Sequence, residues 1–346
     1  MLKTAELFQR REEEMLSPYA FPSAKTKGRL SPSEPCPYRT EFQRDRDRII
    51  HCKSFRRLMH KTQVFFAPLD EQFRTRMTHT LEVTQIARSI ARALRLNEDL
   101  TEAIAMGHDL GHTPFGHEGE AAMRKCYDPS FSHYRQSLRV VDFLEHDGKG
   151  LNLTFEVRDG ILNHPGDHMA CTLEGVVVKF SDRIAYVNHD LDDAFFAGIL
   201  SPDDLPHHLK ELFTVSYSNR VDTMVSSVIE ASMDKNEIKM TPDVGEAMME
   251  MRAFLTEHIY HNSPAKREEK KAEELLCRLF EYFTGHPEEM PPFYYRNIEK
   301  EGTERMVCDF IAGMTDRYAI DLYSDLFIPE VWKGTPSFEP KGTIHD

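Results

Sequence analysis

The chain has 346 residues and a formal net charge of −14, with 40% hydrophobic and 29% charged residues. That length buries a sizeable core and allows two domains, while the acidic balance disfavours general nucleic-acid binding. No run of about 18 apolar residues is present to span a membrane, and the start, Met1-Leu2-Lys3-Thr4-Ala5-Glu6, lacks the apolar segment of a signal peptide. A cytoplasmic protein without membrane partners is expected. Cys36, Cys52, Cys126, Cys171, Cys277 and Cys308 have no paired spacing, which argues against a thiolate zinc site and for reduced thiols.

Residues 3–15 read as a short polar helix, and residues 16–38, rich in Ser, Pro and Gly without a period, as an extended arm. Thr40 to His60 has a helical pattern. Between Arg39 and Arg76 basic residues outnumber acidic ones, which suits a compact anion; the plainer reading of Arg44, Asp45, Arg46, Asp47 and Arg48 is a solvated ion-pair network. Thr62 to Phe66, a turn at Pro68 to Glu71, and Gln72 to Thr75 read as a short β-hairpin.

Met77 to Leu94 is an amphipathic helix with Val83, Ile86, Ala87, Ile90 and Leu94 on its stripe. Four residues back, the stripe reaches His79. In the next helix Leu100 and Ile104 lead at the same spacing to His108. Two histidines thus continue apolar stripes on successive helices and can meet at one buried point. Gly111 and Pro114 end the second helix near Gly111. His117 and Glu120 then lie three apart at the start of a new helix. Further helices are expected from Ser132 or His133, from Thr154 to His164, and from Leu173 to Ala194. Asp182, Tyr186 and Asp190 share one face of the last of these. Pro202 and Pro206 mark a loop, Ser263-Pro264 starts a charged helix, and Thr303 to Phe327 reads as one final amphipathic helix.

Any one histidine on an apolar stripe is more often a core residue than a ligand. Here two occur together with an adjacent His-Asp pair and with Asp182, a carboxylate in an apolar helix that needs a partner. His79, His108, Asp109 and Asp182 therefore make a candidate site for a divalent ion with coordination positions open to water and a phosphate oxygen. His112, His117, Glu120 and His133 are candidates for proton transfer. A helix-start acidic turn would equally explain His117 and Glu120.

The order His79, His108-Asp109, Asp182 resembles the H…HD…D signature of the HD phosphohydrolase superfamily. The longer stretches Ser54 to Phe65, Arg74 to Val83, His108 to Glu120, Phe131 to Arg139, Ser181 to Tyr186 and Ile311 to Tyr318 are similar to the deoxyguanosinetriphosphate triphosphohydrolase family. The resemblance runs from about Tyr38 to Phe327. It departs after His133, where Tyr134 and Arg135 replace an Asn-like residue and a Glu.

The resemblance implies a mainly α fold, an HD-domain helical bundle with the short hairpin and a C-terminal helical subdomain. The expected division is an N-terminal helix and arm over residues 1–38, a catalytic core over 39–200, a supporting subdomain over 201–328 and an irregular tail over 329–346. It implies His79, His108, Asp109 and Asp182 as metal ligands and His117 with Glu120 as a catalytic pair, with His112 and His133 near the scissile phosphate. Arg76 falls on the triphosphate, and Gln63 and Val64 beside sugar and base. Arg183, Tyr186 and Asp190 fall on the phosphates, the sugar ring and the 3′-OH. The implied reaction cleaves a deoxynucleoside triphosphate (dGTP or several dNTPs) to deoxynucleoside and inorganic triphosphate. One divalent ion per subunit would serve it, manganese first, with Mg, Fe, Co, Ni or Zn as alternatives. A dNTP effector and a homo-oligomer, a hexamer among its forms, are also implied. Against this stand a phosphatase acting on nucleoside monophosphates or a signalling nucleotide, a nucleotide sensor without turnover, and a basic arm that binds single-stranded DNA with strong salt dependence.

Overall fold

The computed structural model describes residues 4–63, 73–214, 216–261 and 266–329. Among these the chain forms α1 (Thr4–Met15), α2 (Glu41–Ile50), α3 (Lys53–Arg57), α4 (Arg76–Ala93), α5 (Glu98–Gly107), α6 (Gly116–Cys126), α7 (His133–Arg139), α8 (Phe155–Leu162), α9 (Leu173–Phe196), α10 (His207–Phe213), α11 (Tyr217–Ser232), α12 (Pro242–Leu255), α13 (Lys266–Gly285), α14 (Pro292–Arg296), α15 (Ile298–Glu301), α16 (Thr303–Ala312) and α17 (Asp316–Phe327). The fold is mainly helical, and no strand occurs among the described residues. The expected hairpin is not borne out: one antiparallel bridge between Thr62 and Thr75 is present without a strand around it; positions 64–72, with Val64, lie outside the described residues, as do the Ser263-Pro264 helix start and the tail beyond 329. No described helix is long and apolar enough to cross a membrane.

The apolar stripes set the packing. Val83, Ile86 and Ile90 of α4, Leu100 and Ile104 of α5, and Val177, Ile184 and Leu191 of α9 are each at most 2% exposed and form one core, which extends to α11 and α12. A second apolar cluster joins Met123 of α6 to Leu276 and Leu279 of α13 and to Met306 and Ile311 of α16. Between them run the loops that carry the polar histidines. Side-chain caps start the main helices: Thr40 for α2, Thr75 for α4, Asn97 for α5 and Thr172 for α9.

Three expected helices differ, each for a local reason. The segment Thr40 to His60 breaks at His51-Cys52, where Glu145 accepts the Lys53 and Ser54 amides at 3.2 and 2.7 Å and starts α3 anew. α5 ends at Gly107 rather than near Gly111. There the Ser137 hydroxyl donates to the His108 carbonyl and accepts the Gly111 amide, at 2.7 and 2.9 Å. A Cβ on Gly111 would stand 2.0 Å from the Ser137 amide, so only glycine lets α7 lie this close. The last helix is two helices. α16 stops at Gly313, whose carbonyl accepts from Arg57 Nη1 at 3.0 Å, and Thr315 caps α17.

The thiols also depart from expectation. Cys126 and Cys277 are bonded, with Cα atoms 5.9 Å apart and 151 positions between them in sequence. α6 packing on α13 creates a pairing that spacing could not reveal. Of the basic stretch, Arg39 and Arg46 pair with Asp47, Arg44 pairs with Glu41, and Arg48 donates to the carbonyls of Leu151 and Asn152, so the ion-pair reading describes Arg39, Arg44, Arg46 and Asp47, while Asp45 is buried against Arg29 rather than solvated.

The arm of residues 16–38 is pinned by buried carboxylates. Arg29 pairs with Glu41 and Asp45, and Glu174 accepts the amides of Phe21 and Asn97 at 2.9 and 3.0 Å. Burial pushes the Glu174 carboxyl up to about 7. The folded chain therefore holds this proton more tightly than the unfolded chain, and ionising Glu174 costs stability as pH rises from its ordinary 4.5 toward 7. Glu174→Gln keeps an acceptor for both amides. In urea melts it should match the parent at pH 5 and exceed it at pH 8 by on the order of 3 kcal/mol. An unchanged gap between the two pH values would show that Glu174 does not titrate in this window.

Candidate metal centre and active site

Three helices deliver the ligand candidates to one point. His79 stands in the first turn of α4, His108 and Asp109 follow the end of α5, and Asp182 projects from the middle of α9. His79 Nε2 lies 3.2 Å from Asp182 Oδ1, 3.6 Å from Asp109 Oδ2 and 3.4 Å from His108 Nε2. His108 Nε2 lies 3.4 Å from Asp109 Oδ1 and 3.8 Å from Asp182 Oδ1. An ion bound at about 2.1 Å with ligand angles of 90–109° sets its donors about 3.0–3.4 Å apart, so this set fits a divalent ion. His108 Nδ1 sits 2.7 Å from the Ala105 carbonyl, which turns the other nitrogen toward the cluster.

Electrostatics agree with a cation site. Burial alone would raise the Asp109 carboxyl, but His108, His112 and Arg76 together hold it well below the usual range. Burial likewise opposes ionisation of Asp182, and its contacts with His79 and His108 outweigh this and hold it low. Burial also depresses His79, leaving a neutral imidazole suited to ligation.

The proton-transfer candidates adjoin the ligands. Arg76, 4% exposed, directs Nη1 at Asp109 Oδ2 and at His112 Nε2, 3.1 and 3.0 Å away. His112 Nε2 is also 3.2 Å from Asp109 Oδ1, and its ring stacks on His133 at 4.1 Å. Burial and the Arg76 charge hold His112 well below its ordinary pKa. Glu120 accepts from Arg124 at 2.7 Å, and its Oε2 lies 3.3 Å from His133 Nδ1. Burial is again outweighed, here by the His133 hydrogen bond and the His133 and Arg124 charges, which draw Glu120 down to about 2. The Glu120 carboxylate therefore supports His133, despite Tyr134 and Arg135 in the expected supporting positions. His117 is exposed at the start of α6.

The other expected positions are near but less tightly drawn in. Gln63 is 7% exposed, and its Oε1 has no hydrogen-bond partner among the described residues. Arg183 reaches the Gly166 carbonyl at 3.4 Å, Tyr186 is half-buried, and Asp190 is buried beside His189.

Sequence reasoning passed over four residues. His164, 1% exposed, offers a ligand atom within 4.8 Å of those of His108 and Asp182. Its Nδ1 meets the Ile161 carbonyl at 2.7 Å, and burial with His108 and His133 lowers its pKa to about 3. Extending the Val157, Ile161 stripe would have reached it, as for His79. His189, at 2.8 Å from His79, sits two turns after Asp182. Lys61, 3% exposed, donates to the carbonyls of His112 and Ala312, the latter at 2.8 Å, and burial lowers its pKa to about 7. Asp316 accepts the amides of Thr62 and Phe115 at 2.9 and 3.0 Å. The α16–α17 junction thus ties down both loops that carry the site.

A helical fold presenting His, His-Asp and Asp from three helices belongs to the HD-domain class, and the HD domain family matches residues 76–187, with the phosphohydrolase-associated domain over 238–325. Two deoxyguanosinetriphosphate triphosphohydrolase-like proteins are similar along nearly the whole chain. That of Caldanaerobacter subterraneus subsp. tengcongensis is 54% identical over 331 residues, covering 96% of this chain and 98% of the relative. That of Desulfatibacillum aliphaticivorans is 48% identical over 346 residues, covering 94% and 98%. The chain belongs to the deoxyguanosinetriphosphate triphosphohydrolase-like family of HD-domain proteins. A phosphohydrolase structure from Bacteroides thetaiotaomicron shares the fold, with a TM-score of 0.51 at 16% identity over 80% of this chain and 68% of that one.

Proposed function

We propose that this protein hydrolyses deoxynucleoside triphosphates to deoxynucleoside and inorganic triphosphate. The observation that carries the reading is the buried His79, His108, Asp109 and Asp182 cluster joined through Arg76 to the His112–His133–Glu120 row. His79, His108, Asp109 and Asp182 would hold a divalent ion, which would supply Lewis acidity at a phosphoryl oxygen and lower the pKa of water. Water attacks the α-phosphorus, and the sugar 5′-oxygen leaves and takes a proton.

The chain's own groups divide the remaining work. Arg76 holds Asp109 and His112 in place and offsets phosphate charge as it redistributes. His112 Nε2 lies between the Arg76 guanidinium, a donor, at 3.0 Å and the Asp109 carboxylate, an acceptor, at 3.2 Å. His112, His117 and His133 are the candidate donors to the 5′-oxygen, with Glu120 holding His133. Gln63, with a buried acceptor open to a ligand, and Asp190 would fix the 3′-OH. Arg183 would meet the phosphates and Tyr186 the sugar. Residues 201–328 act as support for the core over 39–200.

The test is a product assay. Metal-stripped protein is given Mn²⁺ and each dNTP, alone and mixed, and tripolyphosphate and nucleoside are followed by chromatography. Equal release of both is expected. Orthophosphate instead would favour a phosphatase, and tight dNTP binding without any product a sensor.

A further inference from the structure

We propose that His189 is a positioning residue that fixes the tautomer of His79 and thereby sets how tightly the centre holds a divalent ion. The inference rests on the metal-centre reading of His79, His108, Asp109 and Asp182, and it is independent of which nucleotide is hydrolysed.

The argument follows one row of atoms. His79 Nε2 faces Asp182, Asp109 and His108 Nε2 at 3.2–3.6 Å. A ligating nitrogen offers a lone pair, so the ring proton of neutral His79 sits on Nδ1. That Nδ1 lies 2.8 Å from His189 Nε2, and both rings are buried. Two imidazole nitrogens at that distance share one proton, so His189 Nε2 must accept. The proton of His189 then sits on its own Nδ1, which lies 2.7 Å from Asp190 Oδ1 in a charge contact that lacks hydrogen-bond alignment. The two ring nitrogens between His189 and His79 then each have a single role.

His108 reaches the same state by a different device, donating Nδ1–H to the Ala105 carbonyl at 2.7 Å. His79 is in the first turn of α4, where among the described residues its Nδ1 meets His189 rather than a preceding helical carbonyl. Its orientation is instead supplied from α9. That helix is itself held in place: Arg74 pairs with Asp193 and with Asp192, and Arg220 Nε donates to Asn188 Oδ1 at 3.1 Å. The residues flanking His189 are thus clamped against α4 and α11.

Without an acceptor at 189, His79 Nδ1–H is buried and unpaired, and the opposite tautomer, which turns N–H into the ligand cluster, gains ground. Outer groups that hold ligating histidines in this way typically change metal affinity 10–100-fold.

The experiment measures free Mn²⁺ by its EPR signal during titration of the metal-stripped full chain. His189→Leu removes the acceptor at similar volume; His189→Gln keeps an amide oxygen that accepts. His189→Leu should weaken Mn²⁺ binding by roughly 10–100-fold, and His189→Gln should stay near the parent. Circular dichroism and thermal melts establish that both fold. Unchanged affinity in His189→Leu overturns the proposal, as does equal weakening in both variants. As a measurement free of mutation, ¹⁵N-histidine spectra of the Zn²⁺-loaded parent should show His189 protonated at Nδ1; a proton on Nε2 overturns the assignment. A parent that binds Mn²⁺ but releases no triphosphate would defeat the hydrolase reading and leave this one standing. A parent that binds no divalent ion defeats both.

Discussion

Asp109→Ala should lose bound Mn²⁺ and reduce triphosphate release to background. The two oxygens of Asp109 lie within 3.6 Å of nitrogens on Arg76, His79, His108 and His112. Removing it deletes a ligand and leaves the buried Arg76 guanidinium without its carboxylate, although Arg76 keeps bonds to the carbonyls of Thr62 and Gln63. Breaking a buried pair in this way costs roughly 3–5 kcal/mol, so a lower melting temperature should accompany the loss. Asp109→Asn keeps the shape and one accepting oxygen while removing the charge. It should be destabilised less than Asp109→Ala and still bind Mn²⁺ poorly. Mn²⁺ titration beside the product assay checks this, and full activity in either variant would remove the ion from the reaction.

His117→Ala should behave in the opposite sense on metal. His117 is exposed at the start of α6 and is not among the grouped ligand atoms, so Mn²⁺ affinity should stay at the parental value. If His117 donates a proton to the leaving 5′-oxygen, kcat should fall by roughly 100-fold or more with KM little changed. Glu120→Gln then separates His133 from His117. Glu120 holds His133 through its 3.3 Å contact, so a loss that follows Glu120→Gln while His117→Ala stays active would move the acid role to His133. Steady-state rates with chromatographic detection of tripolyphosphate decide between them.

The helical class and the site's four ligand candidates were legible because helical periodicity is local. A stripe that repeats every three or four residues marks one face, so extending Val83, Ile86 and Ile90 backwards places His79 inward, and extending Leu100 and Ile104 forwards does the same for His108. The adjoining Asp109 and the apolar surroundings of Asp182 needed no further information. The same rule applied to Val157 and Ile161 would have found His164. Break points were less legible. The end of α5 depends on Ser137, 29 positions after His108, and the break between α16 and α17 on Arg57, 256 positions before Gly313.

The sequence by itself determined which side chains could face a common interior point, and which residue types there suit a divalent ion, because both depend on short-range geometry and on donor chemistry. Only the tertiary structure decided who stands next to whom. Glu120 meets His133 rather than an Asn-like neighbour in sequence, and Lys61 and Asp316 bind the site loops to the α16–α17 junction. Cys126 meets Cys277, and His189 meets His79 across 110 positions. Each pairing comes from how two helices or loops cross, and a hydrogen bond forms or fails within a few tenths of an ångström. Periodicity along one chain carries no record of that distance.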